Sequence, residues 1–363
     1  MTVGSAFVVN GRFMGRPITG VERFAREILL ALDQGLPEWL PGVRLIVAVP
    51  RGTPDTLGLQ HAEVVEVGRR QGHAWEQLEL AGFRTELPLI SLCNTAPIWR
   101  RDQLVVIHDA AVFSLPQAYG WKFRLAYKVM HHALARLGAG ILTVSEFSRQ
   151  ELSRHLFLPA KRIGVLPESG EHMLRLQPDD AILDQHGLRE RPYVLAVSSN
   201  HLGKNFGFVA EALLQLGQPD FDVVVAGGSN SAVFAQRGTS LPPFIKRVGY
   251  VSDEALSSLY RHAACFVFPS VYEGFGLPPM EAMTLGCPVI ASRAASIPEV
   301  CGDVATYFDP RDPQSFIQAL QGAMMSDAQQ KEAWRARSVS HSLSWTWRRA
   351  AHDLVHKMKE RLR

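Results

Sequence analysis

Short apolar runs alternate with amphipathic stretches along almost the whole chain. The apolar runs predict buried strands at Val43–Val49, Leu104–Ile107, Ile141–Val144, Tyr193–Val197, Asp222–Ala226, Cys265–Phe268, Pro288–Ala291 and Ala305–Phe308. Helical periodicity is clearest near Val21–Asp33, Ala118–Leu137 and Glu146–His155. Regular alternation of this kind indicates an α/β protein whose parallel sheets are covered on both faces.

A chain of 363 residues is long for a single hydrophobic core, so we expect two domains. The segment Pro167–Asp180 carries proline, glycine and charge without periodicity, and we interpret it as the interdomain linker. The expected domains cover residues 1–168 and 178–344. Open parallel sheets bind ligands at the carboxyl ends of their strands, so two such sheets facing each other would leave a central cleft.

The most informative segment is Cys265–Gly286, which predicts a buried strand, a glycine-bearing loop and a helix. Gly276 lets the backbone approach a ligand closely, and the N–H groups at the helix start favour an anion. Glu273 lies in the loop, and we expect Glu281 in the first helical turn, where both carboxylates can accept hydroxyl hydrogen bonds. An anion site beside two such carboxylates is typical of nucleotide-sugar binding.

The same segment resembles the retaining family 4 glycosyltransferases, which have the GT-B fold. The similarity covers Val248–Pro310 almost without a break, through EGFGLPPME, GCPVIAS and IPEVCGDVATYFDP. Shorter matches precede it in order, at Thr19–Phe24, His108–Asp109 and Thr143–Arg149. The resemblance implies two Rossmann-like domains whose parallel sheets face a central cleft. It implies an acceptor-side first domain, a nucleotide-sugar-binding second domain, and a last helix, residues 345–363, packed back on the first.

The resemblance also assigns roles to residues of this segment. Glu281 is expected to bind the nucleotide ribose. Glu273 is expected to contact the donor sugar and is one of two catalytic candidates. The backbone N–H groups of Phe275, Gly276 and Leu277 are expected near the sugar and the phosphates.

Three further candidates lie at predicted strand ends or helix starts. Lys204 follows the strand Tyr193–Val197, and its ammonium is expected to neutralise the donor diphosphate as the sugar leaves. His108, the second catalytic candidate, ends a hydrophobic strand, and the matching histidine of the family contacts the donor sugar. Gly20 precedes a helix start, and the matching glycine touches the diphosphate from the first domain.

The phosphate loop departs from the family in one respect. Many relatives carry an arginine as well as the lysine, whereas no arginine precedes Lys204 in SSNHLGKNF. One phosphate-binding cation is therefore missing or supplied from elsewhere. Arg247 and Arg261 are candidates, and His201 would contribute if protonated.

The sequence favours a reaction without metal or cofactor, in which the nucleoside-diphosphate sugar is a co-substrate. No D-x-D motif suited to bridging a metal ion and a diphosphate is evident, and Asp179–Asp180 lies in the expected linker. Cationic side chains and helix N–H groups would then replace the ion. The four cysteines show no metal-type pairing and indicate buried thiols in a reducing compartment.

The charge and the hydropathy of the chain limit which classes of partner it is expected to bind. The net charge of +3 is too small to indicate nucleic acid. No apolar run is long enough to span a bilayer and no signal peptide opens the chain, so we expect a cytoplasmic protein. Trp121, Phe123 and Tyr127 alternate with cations. This pattern favours a surface helix with a buried aromatic stripe over a contact with the inner membrane, which stays an alternative.

We therefore expect a retaining transferase that moves a hexose or deoxyhexose to a glycan or lipid-linked oligosaccharide acceptor. The resemblance implies bacterial surface-polysaccharide synthesis as its context. A glycoside hydrolase using Glu273 and Glu281 as its carboxylate pair is disfavoured by Lys204 and by the loop–helix arrangement. A nucleotide-sugar 2-epimerase stays open. So does a catalytically silent sugar-binding subunit, because the loop arginine is missing.

Overall fold

The computed structural model describes residues 6–197, 202–217, 219–228 and 244–361. The chain divides into two compact units. Unit 1 consists of Met1–Glu168 together with Thr346–Arg363, and unit 2 consists of Ser169–Trp345. Each unit is built on a parallel sheet with helices, so the expected α/β class is confirmed.

The described strands of unit 1 are β1 Ala6–Asn10, β2 Arg44–Pro50, β3 Glu63–Val67, β4 Leu89–Ser91, β5 Gln103–Val106, β6 Gly140–Thr143 and β7 Ile163–Val165. They pair in parallel in the order β3-β2-β1-β4-β5-β6-β7. The three predicted strands of this half correspond to β2, β5 and β6, each displaced by one residue. The pattern does not predict β4 or β7, because three residues are too few to show a periodicity.

The described strands of unit 2 are β8 Tyr193–Val197, β9 Asp222–Ala226, β10 Ile245–Gly249, β11 Cys265–Phe268, β12 Val289–Ser292 and β13 Thr306–Phe308. They form a parallel sheet in the order β10-β9-β8-β11-β12-β13. The predicted bounds of β8, β9 and β11 are confirmed residue for residue. The pattern does not predict β10, because most of its residues are only half-buried at the sheet edge.

Helices flank both sheets. The described α-helices are α1 Gly20–Trp39, α2 Ala111–Ser114, α3 Trp121–Arg136, α4 Glu146–Leu156, α5 Ala181–Gln185, α6 Phe206–Leu214, α7 Asp253–His262, α8 Leu277–Thr284, α9 Ile297–Cys301, α10 Pro313–Met325, α11 Ala328–Ser342 and α12 Trp347–Arg361. Shorter helical turns lie at Gly11–Gly15, Gly72–Ala74, Trp75–Glu79, Leu80–Gly82, Pro116–Ala118, Ala160–Arg162, Glu171–Arg175 and Leu202–Lys204.

The last helix, α12, packs against α1 within unit 1. Trp347 is buried, and its ring meets Phe24 edge-on with ring centroids 6.1 Å apart. Trp39 makes a similar contact with His352 at 5.4 Å. The face of α12 that includes Leu354 is fully buried, so the hydrophobic effect holds this segment on unit 1.

The segment expected to be a linker is a packed part of unit 2 from Ser169 onward. The turn Glu171–Arg175 contains the buried side chains of His172 and Met173. A Cβ at Gly170 would stand 2.6 Å from the carbonyl oxygen of Met280, so glycine is required for this close approach to α8. Tight packing, which a local pattern does not reveal, explains why an aperiodic segment is nevertheless ordered.

The aromatic side chains at the start of α3 contradict the expected buried stripe. Trp121 is 67% exposed and Phe123 is 43% exposed, while Tyr127 is half-buried. The buried part of α3 begins only at Met130. Because the first two turns precede the part of the helix that packs on unit 1, their aromatic rings remain at the surface.

Candidate functional site

Lys204 and Glu273 form an ion pair in unit 2. Lys204 ends the helical turn that follows β8, and its Nζ lies 2.8 Å from Oε1 of Glu273. The ammonium also stands over the ring of Phe268 at 5.2 Å, a favourable cation–π distance. Both charged side chains keep a minority of their surface exposed. The structure thus brings together two predicted residues that are far apart in sequence.

The loop between β11 and α8 is fixed through its backbone by Ser296. The buried Ser296 hydroxyl lies 2.6 Å from the carbonyl oxygen of Phe275 and 3.0 Å from that of Glu273. The ring of Phe275 is buried and meets Trp345 edge-on at 5.6 Å. The side chains of Phe275 and Leu277 are therefore packing elements, and only their backbone groups remain for a ligand.

Few backbone N–H groups are available as hydrogen-bond donors at the start of α8. Gly276 is its N-cap in the left-handed region with φ of 114°, a conformation that favours glycine. Pro278 and Pro279 carry no N–H, so the donors at this start are those of Gly276 and Leu277. Neither has an acceptor among the residues that the structure describes. Two donors, rather than the usual four, are thus oriented for an anion.

Glu281 does not lie in the first turn of α8, and that expectation is wrong. The helix starts at Leu277, so Glu281 is its fifth residue, beyond the turn where the helix dipole acts strongly. Its carboxylate is instead held by two side chains of unit 2. His172 Nε2 lies 3.1 Å from Oε1, and the hydroxyl of Tyr260 lies 3.3 Å from Oε2. Glu281 is 8% exposed, so hydrogen bonds rather than solvent stabilise its charge.

His108 lies in unit 1 just beyond the carboxyl end of β5, and both ring nitrogens have partners. Nε2 donates to the carbonyl oxygen of Leu92 at 2.9 Å. Nδ1 faces Oε1 of Glu168 at 3.4 Å. The ring is 4% exposed and packs edge-on against Phe24 at 4.8 Å. Glu168 is a site residue that sequence reasoning missed, since no local motif marks it.

A second histidine supports the backbone around His108. The amide N–H of His108 donates to Oδ1 of Asn94 at 2.7 Å, and His131 Nε2 donates to the carbonyl oxygen of Asn94 at 3.0 Å. Burial lowers the pKa of His131 to about 4, so its ring is neutral at neutral pH. Asn94 has φ of 63° in the left-handed region, which asparagine tolerates better than most residues.

Gly20 is the first residue of α1, one helical turn before Phe24, which contacts His108. A Cβ built at Gly20 meets nothing within 4 Å, and its φ lies outside the left-handed region. Local packing therefore does not explain why residue 20 is a glycine.

Arg12, which lies near Gly20 in sequence, is buried and pairs with Glu76 at 2.8 Å. Burial raises the pKa of Glu76, whereas the Arg12 charge opposes that rise.

The structure gives no support to the candidates for a second phosphate-binding cation. Arg247 belongs to β10, two strands away from β8 at the sheet edge. Arg261 lies in α7, where Nε approaches Ser257 of the same helix at 3.4 Å. His201 lies outside the described residues.

A D-x-D sequence does occur, at the amino end of β9 rather than at a carboxyl end. There Asp222 pairs with Lys246 at 2.8 Å and with Arg191 at 3.2 Å. In the part of the chain that the structure describes, no group of three or more His, Cys, Asp or Glu side chains is placed to hold a metal ion.

Burial raises the pKa of Cys265 and of Cys301 to about 12, so both thiols are protonated at neutral pH.

Comparison with known proteins shows which proteins this chain resembles. Residues 191–326 match the family described as Glycosyl transferases group 1. The chain is 29% identical to the O-antigen chain mannosyltransferase B of Escherichia coli, over 94% of this chain and 96% of that protein. A stretch of 104 residues is 38% identical to the serotype-specific mannosyltransferase WbdA of Escherichia coli, and covers 29% of this chain but 13% of WbdA.

The fold has solved counterparts. HepE of Anabaena, in complex with UDP and glucose, superposes with a TM-score of 0.74 at 16% identity, over 98% of this chain and 99% of that one. The expected GT-B fold and the resemblance to the family 4 glycosyltransferases are confirmed by these matches. Within the described ranges, no helix combines the length and the hydropathy needed to cross a bilayer.

Proposed function

We propose that this chain, which resembles the group 1 glycosyltransferases, transfers a hexose or deoxyhexose from a nucleoside-diphosphate sugar to a glycan or lipid-linked acceptor. The observation that carries this proposal is the Lys204–Glu273 ion pair beside the loop that leads into α8. It combines a cation for phosphate, a carboxylate for sugar hydroxyls and two oriented N–H groups. The names of the related mannosyltransferases support mannose as the sugar and bacterial surface-polysaccharide synthesis as the context.

Donor binding would follow from the chemistry of each group in unit 2. The Lys204 ammonium and the N–H groups of Gly276 and Leu277 would face the diphosphate. Glu273 would accept hydrogen bonds from the sugar, and Glu281 from the two ribose hydroxyls. When the diphosphate enters, the ammonium acquires a second anionic partner, so the ion pair with Glu273 opens or is shared. The carboxylate then becomes available to the sugar.

The proposed reaction retains the configuration of the anomeric carbon. The bond between that carbon and the diphosphate oxygen breaks, and positive charge develops on the sugar ring. The acceptor hydroxyl attacks from the face that the diphosphate leaves, and its proton passes to a phosphate oxygen. Lys204 and the two N–H groups would stabilise the charge on the leaving group, each contributing on the order of 3 kcal/mol where water is excluded.

His108 would contact the sugar near the reacting carbon. The carboxylate of Glu168 beside Nδ1 polarises the imidazole ring in a nearly water-free position. Because Nε2 is occupied by the carbonyl oxygen of Leu92, the ring cannot rotate freely. We propose that this fixed imidazole stabilises the transition state without leaving its place.

We propose that no metal ion takes part and that the protein acts in the cytoplasm at the membrane face. The start of α3 exposes the apolar side chains of Trp121, Leu125 and Val129, which share one face of the helix at a spacing of four residues. Lys122 and Arg124 flank them, and α3 carries no acidic residue. An apolar face edged by cations favours the interface of an anionic membrane. A lipid-linked acceptor would be presented at such a surface.

Two other functions compete with this proposal. A nucleotide-sugar 2-epimerase would use the same donor groups, and a silent sugar-binding subunit would explain the missing loop arginine. Purified protein should be incubated with a panel of nucleotide sugars, with and without a short mannan acceptor. We expect one nucleotide sugar to raise the melting temperature and to yield an elongated glycan only when the acceptor is present. Epimerised donor would support the first alternative, and binding without turnover the second.

A further inference from the structure

The most deeply buried charged side chain of the proposed donor site has a partner that no motif marks. His172 is 3% exposed by side chain and donates through Nε2 to Oε1 of Glu281 across 3.1 Å. The two residues are 109 positions apart in sequence. Tyr260, which is fully buried, reaches Oε2 of the same carboxylate at 3.3 Å. The carboxylate is therefore held from two sides.

The backbone that carries His172 is itself fixed. The hydroxyl of Ser169 donates to the carbonyl oxygen of Trp345 at 2.6 Å and accepts from the N–H of Glu171 at 3.1 Å. Gly170 lies so close to α8 that a Cβ would collide with Met280, the residue before Glu281. The imidazole is thus placed by a turn that is packed directly on the helix bearing its partner.

The number of hydrogen bonds that the Glu281 carboxylate can still accept determines which ligand groups it can bind. A carboxylate offers about four lone-pair sites, two on each oxygen. His172 and Tyr260 use one on each oxygen, so each oxygen retains one site for a further donor. The terminal torsion of a glutamate is soft, and two fixed donors remove that freedom. Two remaining sites on a carboxylate of fixed plane match the two neighbouring hydroxyls of a ribose.

We propose that His172 is a positioning residue, which orients Glu281 so that both carboxylate oxygens meet the ribose 2′- and 3′-hydroxyls of the donor nucleotide. This inference rests on the proposed function, because it assigns Glu281 to the ribose. It adds a distinct claim: the discrimination between ribose and deoxyribose depends on a side chain that does not touch the nucleotide.

Calorimetric titration with GDP and UDP, each compared with its 2′,3′-dideoxy analogue, tests the proposal. We expect wild-type protein to bind one ribonucleotide at least tenfold more tightly than its dideoxy analogue. His172→Ala should weaken binding of that ribonucleotide about tenfold and leave the affinity for the dideoxy analogue within about twofold. His172→Gln should restore discrimination, because its amide N–H can reach the same carboxylate oxygen. His186→Ala, which changes a histidine outside this cluster, serves as control.

A purely structural role predicts a different result. If His172→Ala weakens both nucleotides equally, or if His172→Gln is as defective as alanine, the inference is overturned. His172→Met fills a similar volume without a donor and replaces the alanine variant if that variant does not fold. Failure of the proposed function is separately visible. In that case wild-type protein binds neither GDP nor UDP, or Glu281→Ala keeps the wild-type discrimination. Wild-type discrimination that is lost in Glu281→Ala and kept in His172→Ala overturns the inference alone.

Discussion

The ammonium of Lys204 lies 2.8 Å from the carboxylate of Glu273. In the absence of a nucleotide, this contact keeps a phosphate-binding cation and a sugar-binding carboxylate partly neutralised by each other. A diphosphate must compete with Glu273 for the ammonium. The two side chains therefore should not contribute independently to donor binding, because each is the other's partner until the ligand arrives.

The first prediction separates these two roles. Lys204→Ala should weaken binding of the nucleoside diphosphate by about 1.5–3 kcal/mol, since a charged hydrogen-bond partner is lost. Glu273→Gln should leave that affinity unchanged or slightly higher, because the ammonium no longer has a competing anion, and should lower the rate of sugar transfer. Calorimetric titration with the nucleoside diphosphate and a transfer assay measure the two effects.

The opposite pattern would count against this assignment. Nucleoside diphosphate affinity that falls with Glu273→Gln and survives Lys204→Ala would place the phosphates away from the ammonium. Lys331→Ala, on α11 of the same unit, is a suitable control for the loss of a positive charge. Circular dichroism of each variant establishes that the fold is retained.

The second prediction concerns metal ions. Lys204 and the N–H groups of Gly276 and Leu277 provide positive charge where a metal ion would otherwise bridge the diphosphate. We expect transfer to continue at an unchanged rate in excess EDTA. Loss of activity that returns on addition of magnesium or manganese would refute this expectation.

The third prediction uses the glycine at the start of α1. A methyl group at Gly20 meets no protein atom within 4 Å, and alanine reduces the freedom of the unfolded chain. Gly20→Ala should therefore stabilise the protein by about 0.5 kcal/mol. It should also slow transfer, because the methyl group would occupy the approach of the diphosphate.

Thermal denaturation and a transfer assay on the same samples test this combination. Gly82→Ala is the matched control, because a Cβ there also meets nothing within 4 Å. Unchanged transfer by Gly20→Ala would mean that no ligand approaches the start of α1.

Much of unit 2 could be predicted from sequence because its strands are short apolar runs with sharp polar boundaries. The bounds of β8 and β11, and the loop that carries Glu273, follow from such local patterns. The turn that holds Glu281 was predicted incorrectly. The helix begins before the two prolines, at Leu277, and this displaces the carboxylate beyond the first turn.

The partners of the candidate residues could not be predicted. Glu168 and His172 lie in an aperiodic segment, and their roles arise only when the chain folds back on residues far away in sequence. The burial of Arg12 against Glu76 is similarly non-local. Local periodicity reports which face of an element is apolar, whereas the pairing of buried polar groups depends on tertiary packing.

The fourth prediction follows from the buried His131. Burial lowers the pKa of His131 to about 4 in the folded protein, below the ordinary value of 6.5. The unfolded chain therefore binds more protons between these two pH values, and stability falls as the pH decreases through that range. Above about pH 6.5 this loss of stability is absent, because His131 is neutral in both the folded and the unfolded chain. Between pH 7 and pH 5 this histidine alone should cost about 2 kcal/mol of unfolding free energy.

His131→Gln tests this linkage, because its amide can still donate to the carbonyl oxygen of Asn94 without titrating. Urea denaturation at pH 7 and pH 5 should show a smaller loss of stability for this variant than for wild type. His61→Gln, at an exposed position, should behave as wild type. An identical pH dependence in all three proteins would show that His131 is not the group responsible.

The last prediction concerns His108, whose Nδ1 lies 3.4 Å from Oε1 of Glu168. If the fixed imidazole stabilises the transition state, its removal should slow the chemical step more than it weakens nucleotide binding. His108→Ala should lower the rate constant of transfer about a hundredfold or more and leave nucleoside diphosphate affinity near wild type. Glu168→Gln should produce a smaller defect of the same kind, because the ring remains but loses its anionic partner.

Single-turnover kinetics with donor and acceptor, together with a binding titration, distinguish these effects. Full turnover by His108→Ala, or a defect confined to nucleotide affinity, would show that His108 serves only to pack the end of β5 against Phe24.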